Sequence, residues 1–171
     1  GVTVFLRYTL RLLTTQQRDR LLKLIIAMDI LREGSKTAQF GSEPISIGFW
    51  VGGGVTPNKF KEFDEEDMYN KGNFLRKVSK QVIRCPYCGE KVPAENFKID
   101  STRKTVEIFC SKNTCRYHIH GLGGRKPLSM PVYLVDEEIY AKCPTVIIST
   151  VDKFARLPWA EECGLLFGKT N

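Results

Sequence analysis

The alternation of apolar and polar positions at the start of the chain predicts a strand followed by a helix. Residues 2–6 form a short run of β-branched and apolar side chains, which is typical of a buried strand. Between residues 16 and 33 apolar side chains recur at helical spacing, and Gly34 stands where such a helix would end. We expect one face of this helix to be buried, formed by Leu21, Leu24, Ile25, Met28 and Leu31.

A second strand and a turn follow this helix. Residues 44–51 are rich in β-branched and aromatic side chains, and the glycines at 52–54 favour a turn. Strand, helix and strand in this order are typical of a crossover unit in a parallel sheet. Residues 1–54 are therefore predicted to be the first part of an α/β domain.

The pattern changes after residue 54 and returns near residue 131. Residues 55–80 are polar and predict short helices, whereas residues 104–109 resemble a strand. The later pattern predicts strands at 131–135 and 145–149 and helices at 136–141 and 151–157. We infer an α/β fold in which residues 1–54 and 131–171 form a parallel sheet with helices, interrupted by an insert at 55–130.

Charge is unevenly distributed along the chain. The formal net charge is +7, and residues 71–126 contain 13 Lys and Arg against 4 Asp and Glu. Such a region favours a polyanionic partner, above all nucleic acid, although a solvated basic surface would have the same composition. No apolar run reaches the roughly 20 residues of a membrane helix, and no signal-peptide pattern occurs. We therefore expect no membrane partner and a cytoplasmic location.

Four cysteines of the insert have the spacing of zinc ligands. Cys85 and Cys88 are separated by two residues, and the glycine after Cys88 allows backbone amides to turn towards the sulfurs. Cys110 and Cys115 are separated by four residues and form the second pair. Four thiolates close the coordination shell of a tetrahedral ion and leave no position for a reacting water. We predict a structural zinc in a ribbon-like module at about residues 81–120, which folds only with its metal.

Other interpretations of these cysteines remain open from the sequence. His118 or His120 can replace Cys110 or Cys115 as a ligand, or both can be ordinary strand residues. Disulfides and a redox pair at Cys85 and Cys88 are alternatives, but the absence of a secretion signal and the second pair favour metal. The two remaining cysteines are far from either pair and are predicted to be small buried apolar residues: Cys143 and Cys163.

Three segments that follow predicted strands resemble the nucleic-acid contact motifs of superfamily 2 helicases. The first reads Arg-Tyr-Thr-Leu-Arg-Leu-Leu-Thr-Thr-Gln-Gln at residues 7–17. The second reads Gly-Gly-Gly-Val-Thr-Pro-Asn at 52–58, and the third is a buried strand, a threonine and a helix at 144–155. The resemblance implies nucleic-acid contacts by Arg7, Arg11, Thr14, Thr15, Gln17, Gly53, Thr56, Thr150 and Lys153.

The chemistry of these segments suits phosphate binding. Loops at the carboxyl ends of parallel strands are where open α/β sheets bind ligands, and helix amino termini there attract phosphates. Hydroxyl groups and arginines can contact the phosphate backbone without sequence preference. The alternative is that each threonine caps a helix and that each arginine is a solvated surface charge.

A more particular resemblance joins these motifs to the cysteine-rich insert. Together with Val-Asp-Glu-Glu-Ile-Tyr at 135–140 and Thr-Val-Asp-Lys at 150–153, they resemble large bacterial helicases of the DISARM anti-phage defence type. The resemblance covers residues 2–58 and 131–157. It implies a fragment of the first RecA-like motor domain, whose parent uses ATP and magnesium. It also implies DNA rather than RNA as the partner, besides the rest of the helicase chain and defence-system subunits.

The nucleotide-binding motifs of such a motor are not evident in this sequence. No Gly-x4-Gly-Lys-Ser/Thr occurs, and residues 168–170 match only its last three positions. Asp136 and Glu137 follow an apolar run, like a magnesium-binding motif, but negative side chains at a helix amino terminus are the alternative. The resemblance places the phosphate loop before Gly1 and the acidic motif after Asn171. We therefore expect the fragment alone to be inactive towards ATP.

Two further classes of function remain open. The insert can be a non-catalytic zinc-ribbon module that binds nucleic acid or a protein, in which case its basic character predicts salt-sensitive binding to nucleic acid. Alternatively, the chain can be a zinc-stabilised scaffold whose basic surface only maintains solubility.

Overall fold

The computed structural model describes residues 1–9, 15–35, 41–64 and 66–168. In chain order, its strands and helices are β1 (Val4–Tyr8), α1 (Thr15–Gly34), β2 (Ile47–Trp50), α2 (Met68–Ser79), β3 (Phe97–Asp100), β4 (Thr105–Ile108), β5 (Val132–Tyr133), α3 (Asp136–Lys142), β6 (Val146–Thr150) and α4 (Val151–Phe154). Short 3-10 helices occupy Phe60–Glu62, Ala94–Asn96 and Glu161–Phe167.

Four strands form a parallel sheet in the order β1-β6-β2-β5. The central strand β6 pairs with β1 from Val4 to Tyr8 and with β2 from Ile47 to Trp50. Every residue of β6 is buried, because strands and packed elements cover it on all sides. The α/β fold class and the parallel sheet are confirmed, although β1 begins two residues later than predicted and β5 contains only two residues.

The predicted buried face of α1 is wrong at three of its five positions. Three residues assigned to it are largely exposed: Leu24 at 54%, Met28 at 40% and Leu31 at 71%. Ile25 is buried as predicted, and the other buried positions of the helix are Leu22, Ile26 and Asp29. The Asp29 carboxylate accepts hydrogen bonds from the Arg32 guanidinium and the Ile45 amide, each at 2.8 Å, and the bond from Ile45 ties this side of the helix to the segment before β2. No helix in the described ranges has the length and apolar character that a bilayer crossing requires.

The antiparallel strands β3 and β4 form a second, two-stranded sheet beside the four cysteines. The outer edge of β4 is closed by groups from the following chain. Ser129 Oγ accepts the Ile108 amide at 2.9 Å, and Glu138 of α3 accepts the Val106 amide at 3.2 Å. Buried residues of the cysteine module and of the parallel sheet belong to one continuous core cluster. The module therefore packs into the core of the sheet, while the predicted domain boundaries stay a prediction.

Candidate metal centre and nucleic-acid interface

The four cysteine sulfurs converge on one point. The sulfurs of Cys85 and Cys115 are 3.7 Å apart, and those of Cys88 and Cys110 are 3.5 Å apart. All four lie within 4.8 Å of one another. A tetrahedral zinc with Zn–S bonds of about 2.3 Å requires sulfurs about 3.8 Å apart, whereas a disulfide requires about 2.05 Å. The sulfur set fits a zinc ion and not two disulfides.

Two tight turns bring these sulfurs together. In the first, the Cys85 amide donates to the Glu90 carbonyl at 2.7 Å, and the Gly89 amide donates to the Cys85 carbonyl at 2.8 Å. Gly89 has a φ of +78°, a conformation that glycine adopts without steric cost. In the second turn, the amides of Lys112 and Tyr117 each donate to a cysteine sulfur at 3.4 Å. Such N–H···S bonds stabilise thiolate ligands.

Burial makes the thiolates depend on a nearby cation. Burial raises the pKa of Cys85 to about 12 and also raises the pKa of Cys115. For Cys88, hydrogen bonds from the Glu90 amide and the neighbouring thiols outweigh burial, so that its pKa is lowered. Three of the four cysteines are buried, and Cys88 is half-buried. A zinc ion would supply the positive charge that keeps all four deprotonated.

The histidines and the remaining cysteines lie apart from this cluster. In the described part of the chain, the sulfur cluster includes no histidine. His118 Nδ1 lies 3.1 Å from the Gly121 carbonyl, and its ring packs edge-on against His120. Cys163 is buried, as predicted, whereas Cys143 is half-buried at the end of α3, and both are free thiols. Cys143 thus differs from the buried apolar residue that the sequence predicted.

The three helicase-like segments emerge side by side. They follow β1, β2 and β6, which are adjacent strands of the parallel sheet with β6 in the middle. The strand ends are level, because Tyr8 pairs with Thr150 and Trp50 pairs with Ser149. Three segments that are distant in sequence therefore meet at one edge. We call its described residues the strand-end surface: residues 7–9, 15–17, 51–58 and 150–156.

The predicted contact residues fall into four groups. Arg7 and Thr15 are exposed on the strand-end surface, and Gln17 is half-buried on the first turn of α1. Arg11 and Thr14 lie outside the described residues. Gly53 lies in the turn after β2, close to Asn58. The last group is buried and consists of Thr56, Thr150 and Lys153.

Two residues of the buried group, Thr56 and Lys153, hold the strand-end loops in place. Thr56 Oγ1 donates to the Val51 carbonyl at 3.3 Å and closes the loop after β2. Lys153 is 4% exposed, and its ammonium pairs with Asp136 and donates to Asn58 Oδ1 at 2.6 Å. These bonds link the loops after β2, β5 and β6. Asn58 was not anticipated, because nothing in its sequence context indicates an ion-pair partner.

The three acidic residues at the start of α3 have separate partners. Asp136 pairs with Lys153, while Glu137 accepts the Phe60 amide at 2.7 Å and contacts Lys104. Burial raises the pKa of Glu138 to about 8, and one of its carboxylate oxygens has no hydrogen-bond partner among the described residues. All three lie in the first turn of the helix, where the negative charges of Asp136 and Glu137 are favourable.

Comparison with known proteins identifies a relative of this chain. No protein-family model matches this chain. The whole chain aligns at 50% identity over 182 residues with the DISARM protein DrmA of Bacillus paralicheniformis. The chain is similar to a DISARM protein. It spans 15% of the length of DrmA, and the likeness supports the DISARM-type relationship that the motifs predict.

Proposed function

We propose that this chain is part of an ATP-dependent DNA helicase or translocase of the DISARM type. Its role in that protein is to contact the nucleic-acid backbone through the strand-end surface and to carry a structural zinc. The observation that carries the proposal is the common edge of three adjacent parallel strands, at which all three helicase-like segments emerge.

The proposed contacts suit a motor that moves without sequence preference. Backbone amides of the loops and the amino terminus of α1 offer donors to phosphates, and Arg7 and Thr15 add a charge and a hydroxyl group. The Arg18 guanidinium already donates to Thr15 Oγ1 at 3.2 Å, which places a second cation beside that hydroxyl. The buried residues Thr56 and Lys153 contribute indirectly, because their hydrogen bonds hold the loops in place.

Zinc has a structural role in this proposal. Cys85, Cys88, Cys110 and Cys115 would hold the ion and fill its coordination shell. The ion would fix the two turns that carry the cysteines, and these turns pack into the same core as the sheet. ATP and magnesium would be bound by other parts of the parent protein, and we expect this chain alone to show no ATP hydrolysis.

A binding titration tests the proposed interface. The zinc-loaded chain is titrated into fluorescent single-stranded DNA, duplex DNA and RNA at 50 and 200 mM salt, with anisotropy as the readout. We expect binding that weakens steeply with salt, since displaced counterions dominate binding to a phosphate backbone. Absence of binding at the lower salt concentration, or affinity that does not change with salt, would contradict the proposal.

The basic insert supports a second candidate, a non-catalytic zinc module that itself binds nucleic acid. The supporting observation is the excess of 13 Lys and Arg over 4 Asp and Glu in residues 71–126. Charge reversals separate the two candidates. If the strand-end surface is the interface, Arg7→Glu should weaken binding. If the module is the interface, Arg84→Glu should weaken binding and Arg7→Glu should not.

A further inference from the structure

The first cysteine turn lies directly against α1. Asp19, Leu22 and Lys23 of the helix and Arg84, Pro86 and Gly89 of the turn line a shallow cleft of about 40 Å³ between them. Because α1 starts at Thr15 beside the strand-end surface, this cleft is reached by following the helix. The distance from Thr15 to Lys23 along the helix axis is about 12 Å at 1.5 Å per residue. The strand-end surface and the cysteine turn are thus neighbours.

An aromatic ring in this turn is both exposed and held in place. Tyr87 follows Pro86 and is 49% exposed. Its ring packs edge-to-face against Tyr117, with centroids 6.1 Å apart and an interplanar angle of 79°. Tyr117 is fully buried, and the Arg116 guanidinium lies 5.7 Å from its ring centroid. A ring fixed in this way loses little rotamer freedom when a flat ligand stacks on it.

The charges around Tyr87 favour an anionic ligand. Arg84 and Lys91 are exposed and lie opposite each other in an antiparallel bridge that flanks the turn. Across the cleft, Lys23 adds a third exposed cation beside the half-buried Asp19, which carries the opposite charge. Glu90 is the nearest acidic residue in the turn, and one oxygen of its carboxylate accepts the Lys91 amide at 3.1 Å. An aromatic face beside cations matches the combination that binds single-stranded nucleic acid.

We propose that Tyr87 stacks on an unpaired base of a single strand whose backbone follows the cations from α1 to the cysteine turn. This inference rests on the proposed function and adds to it the class of substrate, a single strand rather than a duplex. Bases of a duplex are stacked on each other and cannot offer a face to the side chain, whereas every unpaired base has one. The contact has no sequence preference, which suits a motor.

The test compares binding of the zinc-loaded chain to two DNA strands of equal length, oligothymidylate and an abasic strand with the same backbone. Oligouridylate is a third ligand that distinguishes RNA from DNA. Tyr87→Ala should weaken binding to oligothymidylate about tenfold or more, from the usual contribution of a stacked base, and should leave binding to the abasic strand unchanged. Tyr87→Phe should retain full affinity.

Tyr69→Ala is the matched control, because Tyr69 is an exposed tyrosine in the first turn of α2, beside Asp67. Tyr69→Ala should change neither the affinity for oligothymidylate nor the affinity for the abasic strand. Photocrosslinking of the unaltered chain to a strand containing 4-thiothymidine gives a second readout that needs no variant, and the crosslink should map to Tyr87 or its neighbours in the turn.

The outcomes separate this inference from the proposed function. If the unaltered chain binds both strands with a steep salt dependence, but Tyr87→Ala binds oligothymidylate equally well, the stacking contact is refuted and the strand-end proposal stands. A crosslink confined to residues outside the cysteine turn would likewise refute the stacking contact and leave the strand-end proposal standing. If the unaltered chain binds neither strand at low salt, both proposals fail.

Discussion

Lys153 and Asp136 form a buried ion pair that ties the loop after β6 to the start of α3. Both residues are at least 95% buried, and Asn58 from the loop after β2 shares the Lys153 ammonium. Burial raises the pKa of Asp136, and the Lys153 charge opposes this shift. The strand-end loops are therefore held by polar bonds inside the protein, and removal of one partner leaves a buried charge without compensation.

Lys153→Met should lower the free energy of unfolding by about 3–5 kcal/mol, because it leaves the Asp136 carboxylate buried and unpaired. Urea unfolding at neutral pH measures the change. Lys71→Met is the control, since Lys71 is exposed on α2, and it should stay within about 0.5 kcal/mol of the unaltered chain. Equal stabilities of the two variants would contradict the buried pair.

Next to this ion pair, the Asn58 side chain approaches Gly53 closely and leaves little room for a larger residue there. A Cβ at Gly53 would lie 2.7 Å from Asn58 Nδ2, whereas a Cβ at Gly54 would have no neighbour within 4 Å. Gly53→Ala should displace the Asn58 amide from Lys153 and cost about 1 kcal/mol, or about 2–4 °C in Tm. Gly54→Ala should have a much smaller effect. In an Asn58→Ala background, the cost of Gly53→Ala should disappear, and a full cost there would exclude this explanation.

Removal of one zinc ligand should abolish metal binding and loosen the sheet as well. Cys110→Ser is expected to lose the single zinc and to unfold at lower urea concentration, because the cysteine turns and the parallel sheet share one core. Cys143→Ser should retain zinc, since Cys143 is outside the sulfur cluster and donates to the Leu165 carbonyl as a serine would. Metal analysis after gel filtration measures the zinc content of both variants. Full zinc occupancy in Cys110→Ser would contradict the site.

Because the Glu138 carboxyl is buried, we expect the free energy of unfolding to depend on pH. Burial raises its pKa from 4.5 to about 8, with Lys142 lowering and Glu107 raising this value. Between these pH values the folded chain holds a proton that the unfolded chain has released. Its contribution to stability is therefore full below pH 4.5 and is lost as pH rises through about 8, by up to about 1.4 kcal/mol per pH unit.

Glu138→Gln should remove this dependence while its amide oxygen still accepts the Val106 amide. Denaturant unfolding at pH 6, 7 and 8 should show the variant gaining stability relative to the unaltered chain as pH rises. Glu95→Gln, a change at an exposed carboxylate in the cysteine module, should run parallel to the unaltered chain. A constant difference between Glu138→Gln and the unaltered chain at all three pH values would show that Glu138 is charged throughout.

The sequence predicted the parts of the structure that depend on local pattern. Strands β1, β2 and β6 are marked by apolar runs, and the spacing of the four cysteines predicts the sulfur cluster. The face of α1 was missed because a polar residue, Asp29, occupies the buried stripe through bonds to Arg32 and to the distant Ile45.

Long-range polar pairs were also hidden from the sequence. The helicase-like segment predicts nucleic-acid contact by Lys153, but the burial of Lys153 follows from Asp136 and Asn58, which lie 17 and 95 positions away in the chain. Apolar periodicity carries no information about such pairs, since they depend on how loops of different strands meet. The exposure of Tyr87 likewise depends on its packing against Tyr117.

The most direct test of the strand-end surface is the salt dependence of DNA binding by two charge reversals. Arg7→Glu changes an exposed residue near the end of β1, and Arg103→Glu changes an arginine that is 81% exposed between β3 and β4. Our account predicts that Arg7→Glu weakens binding and lowers the slope of log affinity against log salt by about one or more, while Arg103→Glu changes the slope less. Equal slopes for Arg7→Glu and the unaltered chain would contradict it.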